Sequence, residues 1–179
     1  GLGASYRQDG KPATFPVGAY SSDEYTRRMI DYLQSAERGN RPFFGYLAFT
    51  APHWPLQAPE EDRRRYAGRY DDGPEALRTK RLAAMRAQGI VPRAIVPHPM
   101  RHVADWARLT PEQRVAEARK MEIHAAMVDR MDREIGRILE ELRGMGAFEN
   151  TLILFLSDNG ASAEIMVRND GHDPGSAPG

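Results

Sequence analysis

Asn150-Thr-Leu-Ile-Leu-Phe-Leu-Ser-Asp-Asn-Gly160 is an apolar run that stops at two adjacent side chains bearing oxygen. Residues Leu152 to Leu156 do not alternate between apolar and polar types, and a long helical pattern precedes them. A short continuous apolar run in this setting is typical of a strand that is buried on both faces of a parallel sheet. The stretch therefore predicts an α/β fold with this strand in its interior.

Asp158 and Asn159 follow the predicted strand directly, and Gly160 allows the backbone to turn sharply after them. In open α/β sheets, ligands bind outside the carboxyl ends of the strands. A carboxylate beside an amide oxygen suits calcium or magnesium better than a soft metal. Ser, Asp, Asn and Gly also dominate turns, so these residues by themselves are equally compatible with a plain turn.

A second buried strand is predicted for Phe43–Thr50, which is rich in aromatic residues and carries no charge. Helical patterns precede and separate the two strands, starting at Ser21 or Ser22, after Pro59, and at about Glu75. Helices that alternate with buried strands indicate a doubly wound α/β sheet with long flanking helices.

The clearest helix start is Thr110-Pro-Glu-Gln113, a capping box with proline at the first helical position. Apolar residues then recur at steps of three and four until Gly144 and Gly146 end the pattern: Met121, Ala125, Val128, Met131, Ile135, Ile138, Leu139 and Leu142. The helix could extend for about 50 Å. His124 lies beside this stripe and is interpreted as a packing histidine.

His53 follows the second predicted strand in the loop Ala51-Pro-His-Trp-Pro-Leu-Gln-Ala-Pro59. Proline restricts its own backbone and that of the residue before it, so the loop presents His53 on a stiffened chain. Such a presentation suits a catalytic group, although a histidine in a loop is also compatible with an ordinary surface residue.

Two further groups of residues could carry function. Arg63-Arg-Arg65 could clamp an anion, but a solvated helix face is the favoured interpretation. Ile90–Trp106 is irregular and long, which is typical of a lid or binding loop. It contains His98 and His102, but Pro99 between them argues against a helix that would hold both as metal ligands.

Composition excludes several classes of protein. The 179 residues carry 25 basic and 25 acidic side chains, so no overall field attracts nucleic acid or an anionic membrane. No apolar run approaches the roughly 20 residues of a membrane span. The absence of cysteine excludes disulfides and thiolate metal sites within the chain.

The ends of the sequence predict an internal part of a longer protein. The chain begins at Gly1 without an initiator methionine or a signal-peptide pattern, and residues 1–20 predict a loop. Residues 171–179 are predicted to be a flexible tail. The expected organisation is one domain over residues 1–179.

Three segments together resemble the formylglycine-dependent sulfatases, and specifically the bacterial arylsulfatases of the alkaline phosphatase superfamily. They are Arg41-Pro-Phe-Phe-Gly-Tyr-Leu-Ala-Phe-Thr-Ala-Pro-His-Trp-Pro-Leu-Gln-Ala-Pro59, Met121-Glu-Ile-His-Ala-Ala-Met-Val-Asp-Arg-Met-Asp132, and the stretch from Asn150 to Gly160. Tyr66-Ala-Gly-Arg-Tyr-Asp71 and Gly73-Pro-Glu-Ala-Leu-Arg78 continue the match. The resemblance implies an alkaline-phosphatase-like α/β fold, here incomplete, that hydrolyses sulfate esters of small molecules or glycans.

The resemblance also implies roles for individual residues. Asp158 and Asn159 match the strand-end pair that binds the family's single divalent cation, usually calcium. His53 matches the histidine that hydrogen-bonds the ester or leaving-group oxygen of the substrate. The residues themselves leave the location unknown, and only the resemblance favours a periplasmic or extracellular one, where members of the family often occur.

One departure from the family pattern is large. The family nucleophile is a formylglycine made from Cys or Ser in a Cys/Ser-x-Pro/Ala-x-Arg motif, and the sequence contains no such motif. The paired N-terminal metal-binding aspartates and a Lys-x-His segment are also missing. The resemblance therefore implies that the chain is the middle of a catalytic domain and is inactive by itself.

Two alternatives stay open. A phosphoesterase or phosphonate hydrolase of the same superfamily would tend to have His after the corresponding Asp, completing a site for two zinc ions. Asn159 supplies no imidazole and favours a lone hard cation. The other alternative is a non-catalytic pseudo-enzyme that keeps the cation site but has no nucleophile.

Overall fold

The computed structural model describes residues 5–38, 42–100 and 105–160, and the predicted tail at 171–179 lies outside them. The described residues divide into two compact units. Unit 1 comprises the residues up to His53 together with Val128–Thr151, and unit 2 comprises Trp54–Met127 together with the residues from Leu152. The expectation of one domain over the whole chain stays a prediction.

Unit 1 opens with an antiparallel hairpin of β1 (Tyr6–Gln8) and β2 (Lys11–Ala13), in which Tyr6 pairs with Ala13. Asp9 and Gly10 form its turn with φ values of 52° and 75°. Asp-Gly suits such a turn because both residues tolerate the left-handed region. The prediction of a loop for this region is therefore wrong, and the Asp-Gly pair was the signal for the hairpin.

Helix α1 (Ser21–Arg38) follows in unit 1 and begins where the sequence predicts. Asp23 and Glu24 lie in its first turn, where carboxylates interact favourably with the helix dipole. Leu33 is 4% exposed and anchors the apolar face of the helix in the core of the unit.

Unit 2 contains α2 (Glu60–Arg64), α3 (Gly73–Ala87) and the first half of α4 (Pro111–Gly144). As predicted, α3 ends before Gly89, whose φ of 71° suits a helix terminus. It starts slightly earlier than its predicted start at Glu75. The second half of α4 belongs to unit 1.

Both ends of α4 confirm the predicted boundaries. The Thr110 backbone N–H donates to Gln113 Oε1 at 2.9 Å, and the Gln113 backbone N–H donates to Thr110 Oγ1 at 3.3 Å. These reciprocal bonds form the capping box. At the other end, Gly146 has φ 68° and its N–H donates to the Arg143 carbonyl oxygen at 3.0 Å.

The buried face of α4 differs from the predicted stripe. Ile123 and Met127 are 2% and 4% exposed, whereas Val128 of the predicted stripe is 38% exposed. The buried face also includes Glu122, whose carboxylate accepts a hydrogen bond from the Gly68 backbone N–H at 2.8 Å. Arg119, one turn earlier, donates to the other carboxylate oxygen at 3.1 Å. An apolar pattern misses such a position, because the carboxylate is buried through polar partners, and Gly68 lies 54 residues away.

The two predicted buried strands do not form within the described residues. Phe43–Thr50 and Leu152–Leu156 belong to no strand, and the hairpin is the one sheet in the described ranges. Leu154 and Phe155 are each 76% exposed. The predicted doubly wound parallel sheet is therefore not observed. Burial on both faces needs chain packed on each side, which the described residues do not supply here.

Among the helices in residues 5–38, 42–100 and 105–160, none combines the length and apolar character needed to cross a bilayer.

Candidate functional site

The predicted catalytic residue His53 lies in a turn of unit 1, and its side chain is exposed. Its backbone N–H donates to the Thr50 carbonyl oxygen at 2.9 Å, which closes the turn. The preceding Ala51–Pro52 peptide bond is cis. The turn therefore presents the imidazole at the surface, where a solute can reach it.

Helix α1 supports the turn that carries His53. Thr50 Oγ1 lies 3.4 Å from Ser21 Oγ at the start of α1, and Ala51 is buried. In the same first turn, the Asp23 carboxylate accepts two hydrogen bonds from Arg130 of α4, one of them from Nε at 2.8 Å. Sequence reasoning missed Ser21 and Arg130 as supports, because their partners lie 29 and 107 residues away and no local spacing reveals them.

Asp158 and Asn159, the predicted metal ligands, lie in an exposed bend of unit 2. Ser157 Oγ donates to the Asn159 backbone carbonyl oxygen at 2.5 Å, so the residues do form the turn that their types favour. The Asp158 carboxylate and the Asn159 side-chain amide make no hydrogen bond or ion pair with any residue that the structure describes. Both side chains are therefore available to a ligand.

The donor types of Asp158 and Asn159 fit a hard cation such as calcium, which takes six to eight oxygen ligands. Two side chains provide only part of such a shell. Within residues 5–38, 42–100 and 105–160, no group of three or more His, Cys, Asp and Glu side chains is placed to hold a metal ion. A complete calcium site would need further oxygen ligands besides these two residues.

The triple arginine behaves as a solvated helix face, which is the favoured interpretation of its sequence. Arg63 and Arg64 both pair with Glu60 one turn earlier in α2. Arg65 also has an interaction partner. Because these guanidinium groups are engaged, the structure gives no support to an anion clamp here.

The irregular segment after α3 is attached to that helix. The Arg78 guanidinium donates to the His98 carbonyl oxygen, and that of Arg86 donates to the Ile95 carbonyl oxygen, both at 2.5 Å. The His98 ring lies against the Pro99 carbonyl oxygen, with Nδ1 at 2.9 Å. His102 lies outside the described residues. A lid or binding role for this segment stays a prediction.

The partly buried position of His124 confirms the prediction that it is a packing histidine. It is half-buried on α4, and burial together with the nearby Arg81 of α3 lowers the pKa of its imidazole. Removing a ring from water disfavours its charged form, and a neighbouring cation does the same.

This lowered pKa predicts an acid-sensitive contribution to stability. Above the ordinary pKa of about 6.5, His124 is neutral in both the folded and unfolded states and contributes no pH dependence. As the pH falls below that value, the unfolded state binds the proton first, so the free energy of unfolding decreases. We expect His124→Gln to reduce the loss of stability between about pH 7 and pH 5.5, measured by urea unfolding. An unchanged loss in this variant would contradict the assignment, and His98→Gln is the matched control.

Comparison with known proteins extends these observations. The family model described as Sulfatase matches residues 2–178. An uncharacterised sulfatase of Schizosaccharomyces pombe is 42% identical over 82% of this chain and 27% of its own length. An arylsulfatase of Klebsiella aerogenes is 40% identical over 88% of this chain and 34% of its own length.

A third relative has a lower sequence identity, and its name covers more than one activity. The multifunctional alkaline phosphatase superfamily protein PehA of Trinickia caryophylli is 28% identical over 84% of this chain and 29% of its own length. The chain thus spans about a third or less of the length of these curated relatives.

Proposed function

Because the chain belongs to the sulfatase family, we propose that the complete enzyme hydrolyses sulfate esters in the manner of an arylsulfatase. The observation that carries this proposal is the extent of the match, which includes nearly every residue of the chain and the segments around His53 and Asp158. The family implies an alkaline-phosphatase-like α/β fold for the complete domain.

Asp158 and Asn159 are the residues that would hold a calcium ion in this enzyme. Their side chains are exposed and make no hydrogen bond or ion pair to the described residues, and their oxygen atoms are the donors that calcium prefers. When bound, the cation would offset negative charge on the sulfate group. The remaining ligands would come from other parts of the protein.

His53 would donate a hydrogen bond to the oxygen that links sulfur to the alcohol or phenol. Cleavage of this sulfur–oxygen bond leaves negative charge on the departing oxygen, and a positioned donor stabilises that charge. The exposed turn that carries His53, supported by α1, suits this role.

The nucleophile is proposed to be a formylglycine outside this chain. No cysteine and no Cys/Ser-x-Pro/Ala-x-Arg motif occurs among the 179 residues. We therefore expect the 179-residue chain alone to be inactive. A complete protein without the motif would indicate the pseudo-enzyme alternative.

The phosphoesterase alternative remains a second candidate because the chain is similar to a multifunctional alkaline phosphatase superfamily protein. The choice of substrate distinguishes the two functions. Asn159 favours the sulfatase, because an amide oxygen suits one hard cation better than a two-zinc site. The complete enzyme should turn over 4-nitrophenyl sulfate faster than 4-nitrophenyl phosphate. Faster turnover of the phosphate would overturn the proposal.

Replacing His53 by alanine in the complete enzyme should lower turnover by about a hundredfold, which is typical for loss of a positioned proton donor. The loss should be greatest for unactivated phenyl sulfate and smallest for 4-nitrophenyl sulfate, whose leaving group needs less stabilisation. Steady-state rates for a series of substituted phenyl sulfates measure this difference.

His98→Ala is the matched control, because His98 is also an exposed histidine in a proline-rich loop. It should retain normal turnover. The melting temperature should change little in either variant, since both side chains are exposed. Normal turnover of phenyl sulfate by His53→Ala would remove His53 from the mechanism.

A further inference from the structure

Asn159 and Gly160 in unit 2 form the one asparagine–glycine pair in the sequence, in that order. Asparagine is a thermolabile residue, because its side-chain amide can be attacked by the backbone nitrogen of the residue that follows. Glycine has no Cβ, so nothing on Gly160 shields its own nitrogen from the Asn159 side chain. The pair therefore has the composition of a site of spontaneous chemical modification.

The structure leaves both reacting groups accessible. Asn159 and Gly160 are exposed, and the Gly160 N–H donates to no acceptor in residues 5–38, 42–100 and 105–160. A Cβ placed on Gly160 would meet no described atom within 4 Å, so the space beside this backbone is open. The Asn159 side chain can therefore turn toward the Gly160 nitrogen without displacing another described group.

The Ser157 hydroxyl acts on the same peptide unit. Its Oγ donates to the Asn159 carbonyl oxygen at 2.5 Å, and this carbonyl shares a peptide bond with the Gly160 nitrogen. A donor on the oxygen stabilises the negative charge that forms when the nitrogen loses its proton. The hydrogen bond therefore increases the fraction of the Gly160 nitrogen that is deprotonated and able to attack.

Asn150 is an exposed asparagine in a different local setting. Thr151 follows it, and the Thr151 N–H donates to the Phe148 carbonyl oxygen at 3.3 Å. The branched side chain of Thr151 also crowds its backbone nitrogen. The same attack at Asn150 is therefore hindered both by a hydrogen bond and by a side chain.

We propose that Asn159 deamidates spontaneously and that Ser157 promotes the reaction. The Gly160 nitrogen loses its proton to solvent and bonds to Asn159 Cγ. The Cγ–Nδ2 bond then breaks, and Nδ2 takes up a proton from water and leaves as ammonia. Water opens the resulting succinimide ring at either carbonyl, which leaves aspartate or isoaspartate in place of Asn159. The reaction goes beyond the proposed hydrolysis, because it requires neither a sulfate ester nor a metal ion.

Deamidation would change the proposed cation ligands. Either product has a carboxylate in place of the neutral amide of Asn159, which adds negative charge beside Asp158. Isoaspartate also lengthens the main chain by a methylene group and so moves the ligand atoms. This consequence rests on the proposed role of Asn159 in binding calcium, whereas the deamidation itself does not.

The test is incubation of the 179-residue chain without metal ions at mildly alkaline pH, with fragment-ion mass spectrometry to follow each asparagine. Asn159 should lose its amide roughly tenfold faster than Asn150 or more, because glycine leaves the attacking nitrogen uncrowded. Isoaspartate should form at this site, since only the ring intermediate yields it. Equal rates at the two asparagines, or aspartate as the sole product, would overturn the proposal.

Two variants test the groups that act on Asn159. Gly160→Ala should slow its deamidation about tenfold by crowding the nitrogen, and the structure has room for the added Cβ. Ser157→Ala should slow it about threefold to tenfold, as expected for loss of a hydrogen bond. Ser35→Ala is the matched control, because Ser35 is an exposed serine of α1, and it should leave the rate unchanged.

Unfolding separates the contact made by Ser157 from its place in the sequence. In concentrated urea the bend is lost, so Ser157→Ala and the unsubstituted chain should deamidate at the same rate. Equal slowing by Ser157→Ala in buffer and in urea, or no slowing in buffer, would overturn the role of Ser157. An unchanged rate in Gly160→Ala would overturn attack by the Gly160 nitrogen. None of these measurements depends on sulfatase activity, so their failure is distinct from failure of the proposed hydrolysis.

Discussion

Replacing Asp158 by alanine should remove bound calcium from the complete enzyme and abolish its hydrolysis of sulfate esters. Asp158 is the charged member of the proposed ligand pair, and its carboxylate is exposed without a partner among the described residues. A cation that stabilises developing charge contributes several kcal/mol to catalysis. Since about 1.4 kcal/mol corresponds to a tenfold change in rate, turnover should fall roughly a thousandfold or more.

Bound calcium can be measured by atomic absorption after dialysis, and turnover can be followed as calcium is added back. Asn159→Ala should weaken calcium binding less than Asp158→Ala, because it removes a neutral oxygen rather than a charged one. Asp71→Ala is the control for loss of an exposed carboxylate elsewhere in unit 2 and should keep both properties. An Asp158→Ala enzyme that holds calcium at full occupancy would refute the assignment.

Replacing Gly73 by alanine should destabilise unit 2 by about 3 kcal/mol. A Cβ atom at Gly73 would lie 2.6 to 2.8 Å from ring atoms of Trp106, and Gly73 has φ 84°. The left-handed backbone costs a residue with a side chain roughly 1–2 kcal/mol, and overpacking adds about 1–3 kcal/mol. Arg114 Nε donates to the Trp106 carbonyl oxygen at 3.0 Å and holds the Trp106 backbone in place, so relief of the clash would require the indole ring itself to rotate.

Gly89→Ala separates the two parts of this effect. Gly89 has φ 71°, but nothing lies within 4 Å of a Cβ placed there, so only the backbone term of roughly 1–2 kcal/mol should remain. Chemical denaturation of the three proteins measures the difference. Trp106→Ala should cost less in the Gly73→Ala background than alone, because the clash disappears with the ring. Equal destabilisation by Gly73→Ala and Gly89→Ala would disprove the steric contribution.

Helix ends were predictable because their determinants lie within one turn of chain. The capping box joins Thr110 to Gln113, and Gly146 closes the far end of the same helix. The hairpin at Asp9 and Gly10 was predictable for the same reason, although its strands are short and lack an apolar pattern.

The candidate site was only partly predictable. Asp158 and Asn159 could be found because they are adjacent in sequence and their donor chemistry is visible from residue type. His53 could be found from the prolines around it and from the family resemblance. The contact by which Ser21 supports the turn that carries His53 could not be found from the sequence, because it joins residues 29 positions apart.

A cavity of unit 1 between the hairpin, α1 and residues 46–50 was not predictable for a related reason: it is lined by Tyr6, Phe15, Tyr25, Tyr32 and Tyr46. Its rings come from four separate stretches, and each tyrosine alone is compatible with ordinary core packing.

The sequence by itself determined the family, the residue chemistry of Asp158, Asn159 and His53, and the ends of the long helix, since each depends on neighbouring residues or on motifs in order. Only the tertiary structure decided which surfaces are covered. It left Leu152–Leu156 exposed despite their apolar character and buried Glu122 despite its charge. The physical reason is that burial is a property of what packs against a residue, and those partners lie far away along the chain.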